Sequence, residues 1–168
     1  IDKYSFNSQA KLGEGSFSKV YLGKDDETGL PVAVKVVNFT TVMNDYILNL
    51  LKNEINVMKT LEHPNIVKLY EVCITNNNIY IMTEFCNDGD LCEFLKARKC
   101  LPENEAIRIM GDVVNGFREL CKHGAIHRDM KPANIFIHNG VFKLGDFGFA
   151  KGFTSYEQAM SVSLVGTP

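Results

Sequence analysis

The stretch Asn134–Gly148, NIFIHNGVFKLGDFG, sets two short apolar runs on either side of Asn139–Gly140. An Asn-Gly pair between such runs is a strong two-residue hairpin signal, because both central positions of the favoured turn need positive φ. Folding the chain there predicts a register. His138 faces Val141, Ile137 faces Phe142, Phe136 faces Lys143 and Ile135 faces Leu144. Asn134 then lies opposite Gly145, next to Asp146, so the open end brings an amide oxygen and a carboxylate together. Hard oxygen ligands of that kind suit Mg²⁺, which keeps several waters and also takes phosphate oxygens.

Working outward, the preceding loop IHRDMKPAN, Ile126–Asn134, is crowded with polar residues. The short run MKPA ties Asp129 to the same spot as Asn134, where it can accept a proton or orient a hydroxyl. A loop carboxylate that caps local backbone amides is the plain alternative. Before this loop, Ala106, Ile107, Met110, Val113, Val114, Phe117, Leu120 and Cys121 recur at helical spacing. Pro102 suits the first position of that helix. GDLCEFLKARK reads as a shorter helix with Asp90 as a cap or first-turn acid.

The first half of the chain reads mostly as strands. KVYLG and PVAVKVV flank the turn DDETGL, and NIVKLYEVCI and NIYIMTEF flank Asn76–Asn78. One helix interrupts them, with Ile47, Leu50, Leu51, Met58 and Leu61 at helical spacing and Pro64 as its stop. Strands first and helices later give an α+β class with two lobes. The predicted division runs near Phe85–Gly89, with lobes at 1–85 and 86–168.

The glycines of LGEGSFSKV, Leu12–Val20, admit several readings. A P-loop needs a closing Gly-Lys-Ser/Thr, which is absent, and a dinucleotide fingerprint needs a following helix where KVYLG alternates like a strand. A hairpin whose backbone amides approach phosphates stays open beside a ligand-free turn. In VAVKV, alternation puts Ala33 and Lys35 on one face, leaving room for a flat ring beside a cation. Most strand lysines are simply solvated, and Glu54 alone reads as an exposed helix carboxylate, although its apolar neighbours make it a partner candidate for Lys35. Together these signals describe a phosphoryl-transfer site built from positioning and charge stabilisation.

In order, the motifs GEGSFSKV, VAVK, NEINVM, HPNIV, HRDMKPAN, DFG and GTP resemble the eukaryotic protein kinase family across nearly the whole chain. The resemblance implies a bilobal fold, ATP and Mg²⁺ as cofactors, and a protein Ser/Thr hydroxyl as acceptor. It implies that Gly13 and Gly15 cover the nucleotide phosphates and that Leu12 also contacts the nucleotide, while Val20, Ala33 and Phe136 surround the adenine. Lys35 would bind the α/β-phosphates and pair with Glu54. Thr83 falls at the gatekeeper position, Glu84 and Cys86 at the hinge, and Asp90 within reach of the ribose. Asp129 would be the catalytic base, Lys131 would neutralise the transferring phosphate, Thr167 would contact Asp129, and Asn134 and Asp146 would hold the metal. His127 and Phe147 would pack. The resemblance places an activation loop after Gly148, with Ser163 first and Ser161 second as phosphorylation sites that would pair with Arg128. The phosphate would come from an activating kinase or from autophosphorylation. Within the family, KPANIFI, KLGDFGFAK and SLVGTP are similar to the autophagy-initiating and the NimA-related kinases. Ser18 in place of the third glycine removes no catalytic group.

Composition fits this class. The chain has 168 residues, 45% hydrophobic and 23% charged, with a formal net charge of −2. That balance gives no electrostatic case for nucleic acid as a partner, and no apolar run is long enough for membrane insertion. Its 5 cysteines lack any C-x-x-C pair, so free thiols in a reducing, cytoplasmic setting are expected. The A-P-E motif expected after GTP is absent, so a C-terminally truncated fragment of the domain is expected. Its long helix would then expose much of its apolar stripe. A nucleotide-binding pseudokinase or scaffold is the alternative function, and so is an inactive fragment acting by binding. Intact Lys35, Glu54, Asp129, Asn134 and Asp146 favour the enzyme for the parent domain.

Overall fold

The computed structural model describes residues 1–15, 18–39, 45–147 and 151–152. The chain divides into two compact units, 1–49 with 68–85 and 50–67 with 86–168. The class is α+β, as the strand and helix patterns predict.

The first unit carries strands β1 (Tyr4–Glu14), β2 (Ser18–Asp25), β3 (Pro31–Asn38), β4 (Leu69–Ile74) and β5 (Asn78–Glu84). They form one antiparallel sheet in the order β1-β2-β3-β5-β4. On one face, Val32 and Val34 of β3 join Tyr4 and Met82 in a buried cluster, flanked by Phe6, Val36, Tyr70, Cys73 and Tyr80. The alternation read in VAVKV thus buries Val32 and Val34 and turns Ala33 and Lys35 to the opposite face.

Helix α1 (Asp45–Thr60) follows β3. Its buried residues include Leu51, Glu54, Val57 and Met58, so Glu54 stands within the apolar stripe at i, i+3, i+7 spacing. The solvent-exposed carboxylate that Glu54 would be on its own is not what the fold contains: the residue is 4% exposed.

The second unit carries α2 (Leu91–Arg98), α3 (Glu103–Lys122), β6 (Ala125–Ile126), β7 (Ile135–His138), β8 (Val141–Leu144) and β9 (Lys151–Gly152). β7 and β8 form the expected hairpin, with every pair from Ile135↔Leu144 to His138↔Val141 as predicted. Asn139 and Gly140 take φ of 50° and 75°, both in the region the turn demands. Asn87 exchanges two hydrogen bonds with Asn139, and Arg108 donates to the Gly140 carbonyl. β6 pairs with β9.

Two expectations need correction. Where the sequence suggests one division near Phe85, residues 50–67 belong with 86–168. The reason is local. The Val67 amide donates to the Leu144 carbonyl, the Leu144 amide donates to Asn65, and the Asn65 side chain donates to the Phe142 carbonyl. Residues 65–67 therefore pair with the hairpin, and β4 starts only at Leu69. Pro102 caps α3 rather than opening it, because its ψ of 147° is extended. Within α3, Ile109, Val113, Gly116 and Leu120 are buried, Val113 and Leu120 being members of the apolar stripe read in the sequence. Ile107, Met110, Val114 and Phe117 are between 39% and 64% exposed, the open apolar face foreseen for this helix. Among the described residues, no helix is long and apolar enough to cross a membrane.

Gly116 marks a close approach of α3 to this core. A β-carbon there would lie 2.5 Å from the Asn65 carbonyl oxygen and 3.1 Å from Leu144. Alanine gains about 1 kcal/mol of helix propensity over glycine, while overpacking costs about 1–3 kcal/mol. Since the Asn65 backbone is held by Leu144 and cannot yield cheaply, overpacking wins. Gly116→Ala is expected to lower stability by about 1 kcal/mol and Gly116→Val by more, read as the shift in urea midpoint.

Candidate active site

Each unit presents part of the predicted set. In the first, register decides which side chains share a face. Gly13 pairs with Val20, Val20 with Lys35, and Ala33 with Thr83. Val20, Ala33, Lys35 and Thr83 therefore share the face opposite the Val32–Val34 cluster. Leu12 is exposed and Gly13 half-buried near the end of β1, with Gly15 just beyond it. The Gly15 amide donates to the Ser18 carbonyl, closing the hairpin on itself. Glu84 ends β5, where its amide donates to the Lys68 carbonyl and its carboxylate accepts from the Lys68 amide. A groove of about 520 Å³ lined by Phe6, Leu22, Lys24 and Pro31, among others, contains none of the predicted site residues.

In the second unit, the polar loop folds into one hydrogen-bonded cluster. Asp129 is 4% exposed and Asn134 4% exposed. The Asn134 amide nitrogen donates to the Asp129 carbonyl at 2.8 Å and to its carboxylate at 2.9 Å. The Lys131 ammonium lies 3.0 Å from the same carboxylate oxygen. A carboxylate only accepts, so the Asn134 nitrogen must face it. That orientation leaves Oδ1 as the end available to a cation. A 3-10 turn at Pro132–Asn134 makes the geometry possible by bending the chain back within five residues.

The hairpin sets Gly145, the chain neighbour of Asp146, against Asn134. The Gly145 amide donates to the Asn134 carbonyl at 3.0 Å, continuing the β7–β8 ladder by one step. Asp146 follows, solvent-exposed and at φ 55°, a strained conformation for a residue with a side chain. Phe147 turns inward again, 0% exposed. An amide oxygen and a carboxylate fit the donor chemistry of Mg²⁺.

His127 packs beneath this array. It is 0% exposed, with its ring centroid 5.2 Å from that of Phe147. The Gly145 carbonyl accepts from Nε2 at 2.9 Å, and Nδ1 accepts from the Asp129 amide at 3.3 Å. These two bonds fix the neutral Nε2–H tautomer. Burial pushes its pKa below the ordinary histidine value, with the Gly145 carbonyl acting the other way. The unfolded chain therefore binds a proton that the folded chain refuses. Stability is expected to fall as pH drops from about 6.5 towards the folded-state value, and to level off below it. Urea melts at about pH 7.5 and about pH 5.5 should show a larger loss for wild type than for His127→Gln.

Asp90 accepts from the Glu93 amide at 3.0 Å and so caps α2, the capping half of its sequence reading. It also bridges to Phe136 across backbones, while the Ile137 amide donates to the Gly89 carbonyl. Cys86 opens this segment, half-buried. Sequence reasoning paired Asn134 with Asp146 but missed its grip on Asp129. The Pro132 turn between them was the available signal. Thr167, Ser161 and Ser163 lie outside the described residues.

Comparison with known proteins matches residues 6–168 to the protein kinase domain. Serine/threonine-protein kinase ATG1a of Arabidopsis thaliana is 35% identical over 94% of this chain and 25% of its own length. Human serine/threonine-protein kinase ULK1 is 34% identical over 100% of this chain and 17% of its own. CBL-interacting protein kinase 33 of rice, Oryza sativa subsp. japonica, is 36% identical over 83% of this chain and 31% of its own. The chain thus spans between about a sixth and a third of the length of these curated relatives. With the family model covering nearly all of it, the chain belongs to the protein kinase domain family.

Proposed function

We propose that this chain carries the phosphoryl-transfer machinery of a serine/threonine protein kinase, moving the γ-phosphate of Mg·ATP to a protein hydroxyl. The observation that carries the reading is the cluster of buried Asp129 and Asn134 with the half-buried Lys131, followed by the hairpin that leads to Asp146. Asp129 accepts the proton of the acceptor hydroxyl as its oxygen forms the new bond to phosphorus. The bond from phosphorus to the β–γ bridging oxygen breaks, and the leaving diphosphate keeps that electron pair. Lys131, already beside Asp129, offsets charge on the transferred group. Asn134 and Asp146 would hold Mg²⁺, which neutralises phosphate oxygens when bound.

In the first unit, Lys35 takes the α/β-phosphates, and Val20, Ala33 and Thr83 line the base from the same sheet face. Gly13 and Gly15 cover the phosphates, and Leu12 contacts the nucleotide beside them. Glu84, Cys86 and Asp90 meet adenine and ribose, with Phe136 beneath the base. Glu54 supports Lys35 in the active state, and Thr167 supports Asp129. The printed names of the similar kinases favour serine or threonine as acceptor. Transfer of labelled phosphate from ATP to a mixed Ser/Thr peptide pool, with and without Mg²⁺, tests the proposal. Metal-dependent labelling of serine or threonine is expected; none with intact, folded protein would sink it.

A further inference from the structure

We infer that Phe136 and Gly145 form a size-matched pair, in which the missing side chain at 145 gives the Phe136 ring its place as a stacking platform for an aromatic base. The inference rests on the nucleotide reading above and adds Gly145 to it as a positioning residue.

The geometry leaves little choice. A β-carbon on Gly145 would lie 2.7 Å from both Cδ2 and Cε2 of Phe136 and 3.0 Å from a methyl of Val67. Positive φ is not the reason for glycine here, since Gly145 is absent from the left-handed residues of this chain. Space alone excludes a side chain. The backbone of Gly145 cannot back away, because its amide is bonded to Asn134 and its carbonyl to His127. The backbone of Phe136 is held as firmly, paired with Lys143 on one side and bridged to Asp90 on the other. The remaining freedom is rotation of the ring. Phe136 is half-buried, so one side of the ring rests on Gly145 while part stays open. An open aromatic face takes a flat aromatic partner well. A larger residue at 145 calls for a smaller, more adaptable one at 136.

The test uses adenosine as a base probe, because it carries no phosphate and needs no metal. Its affinity is measured by calorimetry for wild type, Gly145→Ala, Phe136→Leu and the double variant, with unfolding temperatures of the ligand-free proteins. Gly145→Ala is expected to weaken adenosine binding about tenfold, the size of a modest overpacking penalty. The double variant should return to the affinity of Phe136→Leu alone, a rescue that general loss of structure would not give. If Gly145→Ala does not fold, recovery of both folding and adenosine binding in the double variant supports the pair. Unchanged adenosine affinity in Gly145→Ala, or a double variant no better than Gly145→Ala, overturns it. Wild type that binds neither adenosine nor Mg·ATP removes the nucleotide reading itself, and the pair with it.

Discussion

Replacing Asp129 with asparagine is expected to cut phosphate transfer by about 10²–10⁴-fold, the usual contribution of a positioned general base. The substitution suits the question because it changes charge and little else. Asparagine keeps an oxygen that can accept from the Asn134 amide, so the 2.9 Å bond has a successor. Lys131 loses its ion pair, but its side chain is 35% exposed and can be hydrated instead. Fold and Mg·ADP affinity should therefore persist while turnover falls. Transfer assays beside calorimetric titration of Mg·ADP separate the two. Wild-type turnover in Asp129→Asn would remove this residue from the chemistry. Loss of folding would mean that the carboxylate is structural, as the plain reading of a loop acid has it.

Asp146→Asn is expected to abolish the metal-dependent part of nucleotide binding. With ligand at 100 times Kd, binding stabilises the folded state by about 2.7 kcal/mol, or about 5–10 °C in a chain of this size. In wild type, adding Mg²⁺ to ATP should raise the unfolding temperature by a clear part of that shift. In the variant the curves with and without Mg²⁺ should coincide. The exposed position of Asp146 and its φ of 55° matter here. Asparagine tolerates that backbone conformation as readily as aspartate, so ligand-free stability should hardly move. A metal response that survives in Asp146→Asn would shift the cation to other ligands.

Much of this arrangement could be read in advance where short-range rules govern. The register from Ile135 to Leu144 follows from an Asn-Gly turn and from alternation. The faces of β3 follow from period two, and the bounds of α2 from its cap. What could not be read depends on distant partners. β1 is largely polar, YSFNSQAKLGE, and becomes a strand because β2 pairs with it. Residues 65–67 look like the start of a strand, but Leu144 claims their hydrogen bonds. Helix α3 carries a broad apolar stripe, and periodicity does not say which part of it is buried. Gly116 settles that through its close approach to Asn65 and Leu144, which the sequence does not display. In the site, the placement of Gly145 opposite Asn134 was legible from the hairpin. The hold of Asn134 on Asp129 was not, because it depends on how sharply the Pro132 turn closes.

The hairpin between Asn134 and Asp146 also bears on how the chain folds. Its turn residues are preset to the required φ, and its partners are close in sequence, so little loop entropy opposes closure. Elements of this kind form in microseconds, well ahead of pairings that join distant segments. The two residues proposed to hold metal would then be neighbours early, before the first unit has closed its sheet. A substitution that slows the sheet should leave this end of the site assembled, whereas changing Gly140 should delay it at the start.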